Sequence, residues 1–276
     1  MRASLRPAAR LLLLLALTLT ASRATAAERG LPAADALLQG CVGTLPDVPV
    51  RVTGELQRRS PGGDLEKRVG VDMTLDWKTQ PPTARYSTRD AFGKPLEHLG
   101  VTWHRDQPPE YRFFRGDPLV AAPVPPLTDA IEGTDVTWMD LTLAYLWWPG
   151  GRTVGAEEIR GRDCWVVDLP PPTNHFAAAS AVRLWLDAKM GGVLRAQVFD
   201  AAGQLIRRVD VKGFKKIGDR WFVQEIEVAS VPAKTTTTLR VRDVEDRERK
   251  QFIRVDEGGP AAAPDDAVPA VTPLAP

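Results

Sequence analysis

The sequence contains few of the residues that most catalytic and metal sites use. It has two cysteines and three histidines in 276 residues. The histidines, His98, His104 and His175, have no cysteine or carboxylate at the spacing of metal ligands. The sequence also lacks the nucleophile elbow Gly-x-Ser-x-Gly, the zinc motif His-Glu-x-x-His, the P-loop and the dinucleotide-binding fingerprint. We therefore expect neither an enzyme nor a bound metal or other cofactor.

Neither sign of charge is in excess. Lys and Arg number 36 and Asp and Glu number 35, which gives a formal charge of +1. Proteins that bind nucleic acids usually carry an excess of basic residues, and this chain has none. No DNA or RNA partner is therefore expected. The 24 prolines and 22 glycines argue against a helical bundle and favour short elements joined by turns. A mainly β protein is predicted.

The N-terminal residues have the pattern of an export signal. Three arginines in the first ten residues precede an apolar run from Leu11 to Ala21, and Ala24-Thr25-Ala26 is a small-x-small cleavage site. The alternative, a transmembrane anchor, needs about 20 consecutive apolar residues, and this run is shorter. Residues 1–26 are therefore predicted to be a signal peptide that is cleaved near Ala26, and the remaining chain to be exported.

The two cysteines, Cys41 and Cys164, make an even pair in a protein that is predicted to be exported. Disulfides form and persist in oxidising compartments, which leaves two alternatives: a Cys41–Cys164 disulfide or two separately buried thiols. The run Leu38-Gln39-Gly40-Cys41 also matches the lipobox at which bacterial lipoproteins are cut and acylated. Charged residues between the apolar run and this motif, among them Glu28 and Asp35, argue against acylation of Cys41.

A period-two alternation of apolar and polar residues predicts the sheet. In the first strand Val50 and Val52 face one way, while Arg51 and Thr53 face the other. The same pattern predicts about eleven strands, at 48–56, 69–77, 84–89, 100–105, 110–115, 164–169, 182–187, 193–200, 205–213, 221–229 and 236–244. Gly- and Pro-containing turns separate them, as in an antiparallel meander. A sheet of this size curls as its twist accumulates, so we predict a single curved antiparallel sheet that forms an unclosed half β-barrel.

Two segments with helical spacing are predicted to form short helices that cover the concave face of this sheet. The first is 33–41, and the second runs from Thr137 to Trp148, where Thr137 and Asp140 form a capping box and Pro149 ends the helix. One face of the second helix carries Trp138, Leu141, Tyr145 and Trp148. This helix is apolar on almost all sides, so it is either ordinary core or a lid over an apolar ligand.

The C-terminal residues differ in composition from the rest of the chain. Residues 257–276 are mostly Gly, Ala, Pro, Val and Asp. Such a segment buries too little apolar surface to offset its ordering entropy, so it is predicted to be a disordered tail. One domain is then predicted over residues 27–256.

Two stretches of the sequence resemble a known family. One runs from Leu186-Asp187 through Gly191-Gly192 and Arg195 to Phe199-Asp200 and Gly203, and the other runs from Gly133 to Leu141. They are similar to the outer-membrane lipoprotein-sorting proteins of the LolA-like superfamily, whose C-terminal halves carry an "LD … G … R … YD … G" hairpin before a "dGrW" strand start. Gly218-Asp219-Arg220-Trp221 departs slightly from that last pattern. The likeness covers roughly residues 45–244, mostly as strand pattern.

The resemblance implies a periplasmic protein with an open, strongly curved barrel whose apolar concave face, covered by helices, binds acyl chains of lipoproteins or lipids. It further implies transport partners in the inner and outer membranes. We expect a monomeric, non-enzymatic carrier that sorts such cargo toward the outer membrane. The alternative is an envelope interaction or regulatory module on the same fold with a filled core.

The candidate binding residues follow from the pattern of the chain itself. They are the inward-facing residues of the early hairpin and the apolar face of the second helix: Val71, Met73, Leu75, Trp138, Leu141, Tyr145 and Trp148.

Overall fold

The structure, a computed structural model, describes residues 30–77, 79–104, 107–172, 176, 178–217, 220–248 and 251–255. The predicted signal peptide, the predicted C-terminal tail and His175 lie outside these residues. No helix in the described ranges is long and apolar enough to cross a membrane.

Fourteen strands form one antiparallel sheet. They are β1 (Val50–Arg59), β2 (Leu65–Asp76), β3 (Thr83–Arg89), β4 (Pro95–Thr102), β5 (Glu110–Arg115), β6 (Val120–Ala122), β7 (Arg152–Ile159), β8 (Arg162–Leu169), β9 (Ala181–Asp187), β10 (Val193–Phe199), β11 (Leu205–Ile217), β12 (Arg220–Ser230), β13 (Thr235–Asp246) and β14 (Gln251–Arg254). Helix α1 (Ala34–Gly43) precedes β1, and helix α2 (Trp138–Leu141) lies between β6 and β7. Two 3-10 turns, Ile131–Gly133 and Ala144–Trp147, flank α2.

The sheet consists of two meanders that meet at its centre. The strand order is β6-β5-β4-β3-β2-β1-β13-β12-β11-β10-β9-β8-β7, with β14 paired to β13. At the junction of β1 with β13, a Cβ atom on Gly54 would lie 2.6 Å from the Arg240 carbonyl oxygen, so only glycine fits there. The edge strands β6 and β7 do not pair with each other in the described part of the chain. The predicted mainly β, unclosed half-barrel is therefore confirmed.

The number of strands is larger than predicted. Each predicted strand corresponds to a strand of the sheet, and β6, β7 and β14 are additional. Strand β7 is an edge strand with most of its residues exposed or half-buried, so it lacks the apolar alternation that marks strands with one buried face. Strands β6 and β14 have only three and four residues, too few to show a period.

The chain crosses the concave face between β6 and β7, which are opposite edges of the sheet. This crossing segment, residues 123–151, contains α2 and both 3-10 turns. Its large apolar residues are buried or half-buried, and they pack with α1 and the inner faces of the strands into one core. Among them Leu127, Ile131, Met139 and Tyr145 are fully buried. The short helical elements thus cover the concave face, as predicted.

The predicted single helix from Thr137 to Trp148 is wrong in one respect. The capping box is present, but the helix ends at Leu141, and a separate 3-10 turn follows. The break lies at Leu143, whose left-handed backbone (φ 51°, ψ 37°) is disfavoured for a bulky residue. An unbroken helix would point much of its apolar surface away from the sheet, whereas the break lets both halves pack into the core.

Of the two alternatives for Cys41 and Cys164, the structure has two free, buried thiols and not a disulfide. Cys41 lies in α1 and packs into the main core on the concave face. Cys164 belongs to a small second apolar cluster with Val166 and Trp185. Val167, three residues further along β8, packs into the main core, and residues an odd number of positions apart in a strand face opposite sides, so Cys164 lies on the other face of the sheet. The sheet therefore separates the two thiols.

Both thiols are expected to be unreactive in the folded protein. Burial raises the pKa of Cys41 to about 12, and burial together with the negative charge of Asp187 raises the pKa of Cys164 to about 11. At pH 8 both groups are therefore neutral, and the thiolate is the reactive form. We expect iodoacetamide at pH 8 to label neither cysteine in the native protein and both in guanidinium without reductant, as read by intact mass. Labelling that requires a reductant would show a disulfide and contradict the structure.

Candidate functional site

The seven residues predicted to bind ligand all pack in one core on the concave face. Val71 and Met73 of β2 are buried and Leu75 is half-buried, because alternate residues of this strand face the concavity. In the crossing segment three of the four residues are buried, and Leu141 is half-buried: Trp138, Leu141, Tyr145 and Trp148. Each of the seven therefore has the packing of a core residue.

Aromatic rings fix the crossing segment to the sheet. Trp138 meets Phe113 of β5 edge to face, with ring centroids 6.0 Å apart. Trp148 meets Tyr145 and Phe176 in the same way, with ring centroids 6.5 and 4.7 Å apart. Such pairs are favourable beyond the area they bury. The Trp138–Phe113 pair therefore holds the segment against the sheet, and the Trp148–Phe176 pair holds it against the connection between β8 and β9.

A buried ion pair joins α2 to the sheet. Asp140 Oδ2 accepts hydrogen bonds from the backbone nitrogen and the hydroxyl of Thr137, at 3.0 and 2.7 Å. The same oxygen lies 3.0 Å from Nε of Arg207 on β11, although the angle is not that of a hydrogen bond. Both side chains of the pair are almost fully buried. Breaking such a pair is costly because it leaves a charge alone in an apolar core.

Four polar side-chain atoms of this pair and of Tyr145 have no hydrogen-bond partner among the described residues: Asp140 Oδ1, Tyr145 Oη, and Nε and Nη2 of Arg207. Burial, and then the negative charge of Asp140, raises the pKa of Tyr145 well above its usual value, so its hydroxyl stays protonated. The concave face is therefore mainly apolar, with buried polar groups under the crossing segment. They are the Asp140–Arg207 pair and Asp135, which accepts hydrogen bonds from the hydroxyls of Thr235 and Thr237.

Three tryptophans cluster at one end of the concave face. Trp77 directly follows β2, Trp103 directly follows β4, and Trp147 ends the second 3-10 turn. The ring centroid of Trp77 lies 4.6 Å from that of Trp103 and 5.6 Å from that of Trp147, and the Trp103 and Trp147 centroids are 4.9 Å apart. We call these three residues the tryptophan cluster.

The sheet register explains why Trp77 and Trp103 meet. Thr83 of β3 pairs with Asp76 on one side and Thr102 on the other, so the residues that follow Asp76 and Thr102 lie level across β3. The Trp103 amide donates to the Pro82 carbonyl oxygen at 3.0 Å, which fixes the chain where it leaves β4. The period-two pattern of the predicted strand 69–77 puts Trp77 on the same face as Val71 and Met73. The sequence gives no sign of its partners, because the three tryptophans are far apart in the chain.

The tryptophan cluster borders a cavity of about 270 Å³ between the sheet and the C-terminal end of α1. The cavity is lined by Val42, Leu45, Pro46, Asp47, Trp77, Pro82, Trp103 and Trp147. Asp47 is the one charged residue of this lining. The indole nitrogen of Trp77 is buried and has no hydrogen-bond partner among the described residues, so it can donate to a ligand oxygen. The site is suited to an apolar group that carries a polar end.

A second cleft of about 490 Å³ lies at the other end of the sheet, beside β7 to β10. Its polar lining includes Arg183 and Asp168, whose Nε and Oδ1 atoms are 2.6 Å apart. This ion pair is already satisfied, so we assign no function to the cleft.

Comparison of the sequence with known protein families gives one match. A family model described as "Uncharacterized protein" matches residues 125–251. No curated protein matches the sequence.

Solved structures with the same fold include three from bacteria. A DUF1329 family protein from Desulfovibrio piger is 14% identical with a TM-score of 0.65, over 77% of this chain and 91% of that one. A putative outer membrane lipoprotein-sorting protein domain from Vibrio parahaemolyticus is 12% identical with a TM-score of 0.64, over 77% and 92%. A LolA superfamily protein from Nitrosomonas europaea is 12% identical with a TM-score of 0.60, over 79% and 94%. The resemblance read from the sequence is confirmed at the level of fold: the chain has the LolA-like fold.

Proposed function

We propose that the protein is an exported, non-enzymatic periplasmic carrier that binds the acyl chain of a lipid or lipoprotein on its concave face. The observation that carries the proposal is the apolar cavity of about 270 Å³ beside the tryptophan cluster. The likeness of fold to a putative outer membrane lipoprotein-sorting domain supports it.

The cavity is too small to hold a whole long acyl chain. Pockets for small molecules usually measure about 300–1,000 Å³, so this cavity holds only part of a long chain. Each methylene group that leaves water stabilises binding by about 0.8 kcal/mol, which favours burial of the rest of the chain. That remainder enters the concave face as the crossing segment moves outward.

The crossing segment contains two points at which such a movement can start. Leu143 has a left-handed backbone between α2 and the second 3-10 turn, and Gly150, with φ 80°, follows that turn. A change of backbone angles at these two residues moves the second 3-10 turn without unfolding the sheet. The predicted binding residues Tyr145 and Trp148 lie between them and line the path that opens.

Titration with palmitate tests the proposal. The tryptophan cluster holds three of the eight tryptophans, so binding beside it alters the intrinsic fluorescence. We expect a saturable change with one equivalent of palmitate per chain and no change with butyrate, which has the same carboxylate but a short chain. The absence of a saturable change with palmitate would contradict the proposal.

A second candidate function is an interaction or regulatory module with a filled core. It is favoured by the burial of the crossing segment, where Trp138, Met139 and Tyr145 are no more than 2% exposed. In that case the segment never opens, and partners bind on the outer surface.

Replacing Leu141 with aspartate distinguishes the two functions. Leu141 is half-buried at the end of α2. In a carrier the segment adjusts, so we expect Leu141→Asp to stay folded, with a loss of about 1–2 kcal/mol in unfolding free energy, and to lose palmitate binding. In a filled core the buried charge costs more than about 4 kcal/mol and unfolds the domain. Circular dichroism melts and the titration, with Leu141→Ala as the apolar control, separate these outcomes.

A further inference from the structure

The large hydrophobic side chains that are exposed to solvent are concentrated in a few turns. In the described ranges, the residues of this kind are Leu65, Phe92, Leu119, Val120 and Val231. Leu65 and Val120 begin β2 and β6, and the other three lie in the turns β3–β4, β5–β6 and β12–β13.

The topology places all of these turns at one end of the sheet. Neighbouring strands are antiparallel, so the turns β1–β2, β3–β4 and β5–β6 lie at the same end. Strand β13 is antiparallel to β1 and Thr236 pairs with Arg59, which puts the turn β12–β13 at that end as well. We call this end of the sheet the tip end. The tryptophan cluster lies at the opposite end, where β2 and β4 finish.

Phe92 is held out in the solvent by a well-formed turn. Its side chain is 96% exposed. Asp90 Oδ1 accepts hydrogen bonds from the backbone nitrogens of Phe92 and Lys94, both at 2.9 Å, and the Asp90 amide donates to the Lys94 carbonyl oxygen at 3.0 Å. Gly93, with φ 84°, closes the turn. The turn is thus ordered by its own hydrogen bonds, and it leaves the Phe92 ring in solvent.

The turn that carries Phe92 is joined to a second apolar turn. Lys94 Nζ lies 3.7 Å from Asp117 Oδ2, which links the β3–β4 turn to the β5–β6 turn. There Leu119 and Val120 are 38% and 63% exposed. The two turns together form an apolar projection on neighbouring hairpins.

The charges around the projection are mainly basic. The exposed basic residues at the tip end are Arg59, Lys67, Arg68, Lys94, Arg115, Arg152 and Lys234. Besides Lys94, Arg68 and Arg115 also face a carboxylate, that of Glu55 and of Glu97. The exposed acidic residues there are Asp64, Glu66 and Asp117. An apolar projection with a basic surround is complementary to a bilayer, whose interior takes up the apolar groups and whose anionic headgroups attract the basic ones.

We propose that the tip end docks on the surface of an anionic lipid bilayer, with Phe92 inserted among the headgroups. Phenylalanine is among the residues that bury at the boundary between headgroups and acyl chains, and an exposed phenylalanine gains free energy by leaving water. Docking in this orientation leaves the cavity beside the tryptophan cluster facing away from the membrane. The proposal goes beyond the carrier function and does not depend on it.

Vesicle co-sedimentation tests the docking. The probe is the processed protein, with its N-terminus verified by mass spectrometry, mixed with vesicles of phosphatidylglycerol and phosphatidylethanolamine or of phosphatidylcholine alone. We expect binding to the anionic vesicles that weakens with salt and is at least about fivefold weaker on phosphatidylcholine. Binding that is equal on both, or absent from both, would overturn the proposal.

Two matched substitutions test the residues. Phe92→Ser is expected to weaken binding to anionic vesicles about tenfold without changing the melting temperature, since the ring makes no contacts in the fold. Lys94→Glu is expected to weaken it about fivefold or more. Lys189→Glu makes the same change of charge on an exposed residue of the β9–β10 turn, at the opposite end, and is expected to bind as the unmodified protein does. Equal effects of the two lysine substitutions would overturn the proposed orientation.

The alternative occupant of the tip end is a protein of the envelope. A photoreactive phenylalanine analogue in place of Phe92 is expected to cross-link to phospholipid in cells, whereas a protein adduct as the main product would overturn the proposal.

Loss of palmitate binding with vesicle docking intact would contradict only the carrier function.

Discussion

Replacing Asp140 with alanine is expected to lower the free energy of unfolding by about 3–5 kcal/mol. The substitution removes both hydrogen bonds from Thr137 to the carboxylate, at 3.0 and 2.7 Å, and it leaves Arg207 charged and only 9% exposed without its counter-ion. Urea unfolding followed by tryptophan fluorescence measures the change, provided that the m-value is the same in both proteins.

Three control variants separate the buried pair from a general loss of charge. Arg207→Met is expected to destabilise by a similar amount, and the double variant Asp140→Leu, Arg207→Met by much less than the sum of the two. Glu225→Ala removes a partner of the exposed pair Arg240–Glu225 and is expected to cost less than about 1 kcal/mol. A loss below about 1 kcal/mol in Asp140→Ala would show that the pair does not anchor α2.

Replacing Val42 with tryptophan is expected to abolish most of the affinity for an acyl chain. Val42 is half-buried on α1 and lines the cavity beside the tryptophan cluster, so a larger side chain there occupies the space of the ligand. We expect the Kd for palmitate to rise more than about tenfold, since several methylene groups lose their burial. Titration calorimetry measures this without interference from the added tryptophan.

The matched control for this variant lies on the same helix. Gln39 is exposed on α1, so Gln39→Trp adds the same side chain outside the cavity and is expected to bind palmitate as the unmodified protein does. Unchanged binding in Val42→Trp would place the acyl chain elsewhere and contradict the proposed site.

The local features of the fold were predictable from the sequence. In β1, Val50 and Val52 alternate with polar residues and are buried as expected, because one face of the strand meets the core. The capping box of Thr137 and Asp140 also formed as predicted, since it needs only residues that are three apart. Patterns of this kind depend only on residues a few positions apart, so they can be recognised without knowledge of the rest of the fold.

The remaining features depend on contacts between distant parts of the chain. Leu143 adopts a disfavoured backbone because α2 and the following turn must both meet the sheet, and no property of leucine indicates this. The tryptophan cluster joins two strand ends and the crossing segment through the register of β3. The partner of Asp140, Arg207, lies on β11, far from α2 in the chain. These contacts were visible only once the sheet was assembled.

The two ends of the sheet differ in a way that the sequence did not reveal. The tip end carries Phe92 and the other exposed apolar residues, whereas the opposite end carries the cavity beside the tryptophan cluster. A protein that docks by one end and holds an acyl chain at the other presents its cargo away from the bilayer. Exchange of the acyl chain is then expected to involve a soluble or protruding partner.

Native mass spectrometry of the exported protein tests the carrier function most directly. The protein is purified without detergent and weighed before and after extraction with organic solvent. We predict a mass excess that corresponds to one acyl lipid per chain, lost on extraction and much reduced in Val42→Trp but not in Gln39→Trp. A mass equal to that of the chain alone, with no uptake of added palmitate, would contradict the account.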